Sequence, residues 1–77
     1  MDRETKDRFA IRCIVVSTQS GIANIARTHR ADPETRDRLQ EATLERADAL
    51  LTELEQEHAL STRLRPVMRA ARAALGV

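Results

Sequence analysis

The clearest pattern of apolar and polar positions lies in the middle of the chain. Leu39, Thr43, Leu44, Ala47, Leu50, Leu51, Leu54 and His58 fill one continuous arc at about 100° per residue, with Glu34, Glu41, Glu45 and Asp48 opposite. This spacing predicts an amphipathic helix over 33–58. Its start is marked chemically. Asp32 suits an N-cap, Pro33 suits the first helical position, and Glu34 suits the positive end of the helix dipole.

A helix of matching length is predicted upstream, over 3–29, about 40 Å long at 1.5 Å per residue. It carries two apolar seams. Ile11, Val15, Thr18, Ile22, Ile25 and His29 advance in alternating steps of four and three. Phe9, Cys13, Val16, Ser20, Ala23 and Arg27 do the same on a second face. A helix with two seams needs cover on both sides. The second seam is small in the middle, at Ser20 and Ala23 with Gly21 nearby, which suits close approach of another helix. The β-branched run over 11–16 also fits a strand, with Gln19-Ser20-Gly21 as a turn, but no other segment offers a partner strand.

After His58 the pattern slips. Leu60, Leu64, Val67, Met68, Ala71 and Leu75 form a helical arc rotated by roughly 90° from the preceding stripe. Pro66 disfavours helical geometry at Arg65. A break is therefore predicted between Ala59 and Pro66, followed by a short third helix over about 62–75 that stops near Gly76. Ser61 and Pro66 both remain open as its starting point.

These elements predict a single all-α domain over 1–77: an antiparallel hairpin, turning between residues 28 and 32, plus a short C-terminal helix. The hairpin alone covers one seam of the first helix. The third helix is half as long as the first, so the second seam is expected to meet a second copy, giving a symmetric four-helix core. The alternative is closure by the third helix into a three-helix monomer. In pattern and length the layout resembles the plasmid-encoded RNA-modulator hairpins that dimerise into four helices; no shared motif carries function across. On this reading Phe9, Ile11, Val15, Val16, Ile22, Ala23 and Ile25 are the core and dimer residues.

Composition supports the need for help from a partner. Leu, Ile, Val and Phe make up only 17 of 77 residues, and a chain this short buries only about 60% of its unfolded surface. Phe9 is the one aromatic and Cys13 the one cysteine, which excludes base-stacking platforms, intrachain disulfides and cysteine-rich zinc sites. The charged start at Asp2-Arg3-Glu4 and the short run Ile14-Val15-Val16 predict neither signal peptide nor membrane span, so the cytoplasm is the expected location.

Charge is segmented. Residues 1–30 carry six Lys/Arg against three acids, residues 31–59 three Arg against nine acids, and residues 60–77 four Arg and no acid. An acidic middle between basic ends suits a chain that folds back on itself. Arg65, Arg69 and Arg72 fall within about 60° of one another on the third helix, beside its apolar arc. They suit carboxylates of a partner, phosphates of a nucleic acid, or the acidic face at Glu41, Glu45 and Asp48.

Catalytic constellations are weak. Cys13 and His29 are sixteen residues apart on one helix, about 24 Å, so Cys13 is expected to be a buried, inert thiol. Glu55 and His58 have the Glu-x-x-His spacing of di-iron bundles, with Glu4 predicted opposite, but the pattern arises easily in an acidic helix. No cofactor and no resident metal are expected. The functional expectation is a non-enzymatic helical regulator or adaptor. It would act by protein–protein contact through Arg65, Arg69 and Arg72 with Leu64, Val67, Met68 and Leu75. The alternatives are a nucleic-acid-binding regulator using the same arginines and, less favoured, a metal-binding bundle.

Overall fold

The computed structural model describes residues 2–57 and 60–77. It contains α1 (Arg3–Thr28), α2 (Pro33–Glu57), a single 3-10 turn at Thr62–Leu64 and α3 (Arg65–Leu75). The chain is all-α, and the predicted hairpin is present, with α1 packed on α2. It forms a rod 45 Å long and 17–20 Å across, set by the length of the two long helices. Residues 11–16 lie well inside α1, so the strand alternative does not occur. Once this segment continues into a helix, Ile11, Ile14 and Val15 join the inward stripe of the turns before and after, and Val16 joins the outward one.

The two long helices begin in the same way. Asp2 accepts a hydrogen bond from the backbone N–H of Thr5 at 2.7 Å. Asp32 accepts one from the N–H of Thr35 at 3.2 Å and a second from the Thr35 hydroxyl at 2.7 Å. Each pairing satisfies amide donors that a first helical turn leaves without partners. It also holds both carboxyls below the ordinary aspartate range: the backbone hydrogen bond from Thr5 comes first for Asp2, and the hydroxyl hydrogen bond from Thr35 for Asp32. α3 ends at Gly76, whose φ of 72° is left-handed. There the N–H groups of Gly76 and Val77 reach back to Ala73 and Arg72.

The expected break falls in place, but Pro66 does not act as predicted. Arg65 keeps helical angles (φ −58°, ψ −46°), and Pro66 sits in the first turn of α3. That position asks for no amide donor, so proline is tolerated there. Ser61 precedes the 3-10 turn in an extended conformation without a side-chain cap; its hydroxyl donates instead to Glu4 at 3.1 Å.

The core gathers at the end of the hairpin remote from its turn. Ile11, Ala47, Leu51, Leu54, Met68, Ala71 and Leu75 pack together, flanked by half-buried Ala10, Ile14, Val15, Leu44, Leu60 and Val67. Leu51 and Leu64 are fully enclosed. α3 thus lies in the groove on the inner side of the hairpin, touching both long helices. It does not reach the second seam of α1. Nearer the turn the molecule is two helices deep, and Ile22 and Ile25 are only half-buried. There Gln40 Nε2 donates to the carbonyl of Ile22 at 3.3 Å, tying α2 to α1. Gly21 belongs to this hairpin contact rather than to the second seam: a Cβ there would meet Thr43 Cγ2 at 3.8 Å.

Candidate functional site

Two surfaces remain once the core is filled. The first is the outer face of α1. Phe9, Cys13, Val16, Ser20, Ala23 and Arg27 are all exposed, and they point about 120–180° away from Ile11 at 100° per residue. Phe9 is 64% exposed and Val16 53%. With Arg12, Cys13 and Ser17 they border a shallow depression of about 320 Å³. The periodicity alone separated the two seams. The structure puts Ile11, Val15, Ile22 and Ile25 inward, and Phe9, Val16 and Ala23 outward. Cys13, expected to be buried, is exposed within the chain, because it lies on the seam that α3 leaves open.

The second surface is the arginine row of α3. Arg72 is committed internally. Its Nε donates to Glu55 at 2.9 Å, one terminal nitrogen to Thr52 at 2.9 Å, and the other to Asp48. Residues 48, 52 and 55 occupy successive turns on one side of α2, so a single planar guanidinium spans them. The hydrogen bond to Asp48 contributes most to raising the Arg72 pKa above its ordinary value, with Glu55 adding to it against the opposing effect of burial. Arg65 and Arg69 are exposed, and no hydrogen bond or ion pair joins them to another described residue. With Glu55, Leu60, Met68 and Arg72 they line an open cleft of about 680 Å³.

The apolar half of the expected partner-binding set is used differently. Leu64, Met68 and Leu75 are buried in the chain's own core, and Val67 is half-buried against it. The stripe expected to fill a partner's groove instead fills the groove between α1 and α2. The cause is simple: an intramolecular groove is present at far higher effective concentration than one on a separate molecule.

Of the weak metal candidates, Glu55 and Glu4 are each engaged elsewhere. Glu55 is held by Arg72 and Glu4 accepts from Ser61, while His58 lies outside the described residues. Among the described residues no group of three or more His, Cys, Asp and Glu side chains is placed to share a metal ion. Glu41 and Glu45 take no part in the Arg72 network. They line a second shallow groove of about 490 Å³ with Leu44 and Val77.

One property of α1 exceeds the sequence expectation. By length and composition the helix is apolar enough to cross a membrane: its most apolar 18 residues have a mean hydropathy of 1.3, and 11% of them are buried. Residues 14–16 alone are too short for this; the value comes from the two seams of α1 taken together. A helix that is apolar on two opposite faces reaches this value without being apolar all round.

No family model matches the chain, and no curated protein or solved structure matches it either.

Proposed function

We propose that this chain is a small, non-enzymatic helical regulator or adaptor of the cytoplasm. It acts by protein–protein contact and assembles as a homodimer of two hairpins, four long helices in all, joined through α1. The observation that carries this reading is the outer face of α1, where the chain's one aromatic, Phe9, stands 64% exposed beside Val16 at 53%. Aromatic side chains contribute much of the contact energy of protein interfaces. The apolar face is long and narrow, which suits another helix better than a compact ligand. Arg65 and Arg69 supply a second, charged contact edge that orients a partner bearing carboxylates.

Sedimentation equilibrium at micromolar concentration tests the reading; the expected mass is near twice 8.7 kDa. Changing both Phe9 and Val16 to Glu is expected to give a monomer of unchanged helicity, because neither side chain contributes to the described core. A wild-type chain that stays monomeric and melts cooperatively overturns the homodimer.

A second reading has its own supporting observation. Arg63, Arg65 and Arg69 are exposed and unpaired among the described residues, in a segment with no acid from residue 60 onward. Such a cluster suits nucleic-acid phosphates. Phosphate binding would weaken steeply and linearly in log salt, with a slope near −0.9 per phosphate neutralised on duplex DNA. A helix-in-groove contact would weaken far less.

A further inference from the structure

Starting from the homodimer reading above, we propose that the outer face of α1 is covered by the same face of a second copy packed antiparallel, with the two-fold axis crossing the helices between Ile14 and Val15.

The seam extends further than its apolar part. From Asp2 to Arg27 it advances in unbroken steps of four and three, and every one of its positions is exposed in the single chain. It is asymmetric in two respects. The bulky side chains, Phe9 and Val16, lie in its first two thirds, whereas Ser20 and Ala23 follow in its last third. Its ends carry opposite charge, Asp2 at one and Arg27 at the other.

Both asymmetries select the direction of packing. A parallel pair would set Asp2 on Asp2, Lys6 on Lys6 and Arg27 on Arg27. It would also stack Phe9 on Phe9 while leaving Ser20 and Ala23 facing each other across a gap. Like charges directly opposed are unfavourable, and an underfilled layer forfeits dispersion contacts. An antiparallel pair reverses both problems: acid meets base and large meets small.

The seam spacing then restricts the register. Antiparallel seams mesh when each position after a step of four meets one after a step of three, so permitted registers differ by seven residues. The register with nearly full overlap places Asp2 beside Arg27 of the second copy. Lys6 then meets Ala23, Phe9 meets Ser20, and Cys13 meets Val16. Sliding by seven residues in one direction sets Phe9 against Arg27, and sliding in the other sets Lys6 on Val16; either slide loses about a quarter of the contact. A single helix pair about 39 Å long falls at the small end of specific interfaces, below about 1,200 Å². The expected affinity is accordingly micromolar.

Directed cross-linking tests the arrangement. Lys6→Cys and Ala23→Cys are each made in a Cys13→Ser chain, one of them carrying a mass tag. The two are mixed at a concentration where sedimentation shows dimer and oxidised in a glutathione buffer. Both positions are exposed, so helicity by circular dichroism should match the parent. The expected product is a disulfide joining position 6 of one chain to position 23 of the other, at least about tenfold above either homodisulfide. An Ala42→Cys chain, exposed on α2, sets the rate of random collision. Homodisulfides in excess, or a mixed product no faster than that control, overturn the antiparallel register. A dimer by mass without the 6-to-23 bond overturns the register alone, whereas a monomer by mass overturns the homodimer reading and the register together.

Discussion

Replacing Arg72 with Ala removes the polar network that fastens α3 to α2. Three hydrogen bonds are lost, to Asp48, Thr52 and Glu55. The carboxylates are 52% and 42% exposed, while the Arg72 side chain is 24% exposed. Water therefore screens both ion pairs, and each is assigned the surface value of up to about 1 kcal/mol. The bond to the Thr52 hydroxyl adds about 1 kcal/mol. The expected loss is roughly 1–3 kcal/mol, a large share of a stability that lies near the bottom of the usual 5–15 kcal/mol for so short a chain. Arg69→Ala, on the same face but without a partner among the described residues, is expected to change stability by less than about 0.5 kcal/mol. Urea unfolding followed by circular dichroism, at concentrations below dimerisation, measures both. The gap between them should shrink in 1 M salt, where the screening length falls to about 3 Å. If Arg72→Ala costs no more than Arg69→Ala, the network contributes nothing and apolar packing alone holds α3.

Two other substitutions test the helices locally. Gly21→Ala is expected to stabilise the chain by about 0.5–1 kcal/mol, since the new methyl group meets Thr43 at an ordinary 3.8 Å; a lower melting temperature would show that the hairpin needs glycine there. Asp32→Ala should lower the melting temperature at neutral pH by removing the α2 cap. The carboxyl pKa is depressed in the folded chain, so its contribution is complete above the ordinary aspartate pKa of about 3.9. It is lost as pH falls through the lower folded-state value. The wild type and the variant should therefore converge in acid, and a gap that does not narrow as pH falls below the ordinary aspartate pKa of about 3.9 refutes the cap's role.

The three helices, the turn between the first two and the break before the third were readable from local chemistry. An apolar stripe at helical spacing, an aspartate three residues before the amide N–H that donates to it, and a glycine after the last apolar position act within a turn or two of chain. Nothing distant needs to be known. The same holds for the two seams of α1, since periodicity belongs to the helix itself. The Asp2 cap was equally local; its spacing to Thr5 repeats that of Asp32 to Thr35 and was the available signal.

Where α3 would lie was not local. Leu64, Met68 and Leu75 read as an apolar stripe in any setting, and a stripe fits its own hairpin's groove as well as a partner's. Burial is non-directional, so composition and period do not choose between the two; contact with Ile11, Leu51 and Leu54 does. The choice also divided the arginine row. Arg72 lies level with the carboxylates of α2, whereas Arg65 and Arg69 lie toward the end where α2 stops at Glu57. Three side chains equivalent in sequence thus became one structural clamp and two exposed cations without a partner among the described residues. By settling on the inner side, α3 left Phe9 and Val16 in water, and that exposure is a property of the assembled helices rather than of any one of them.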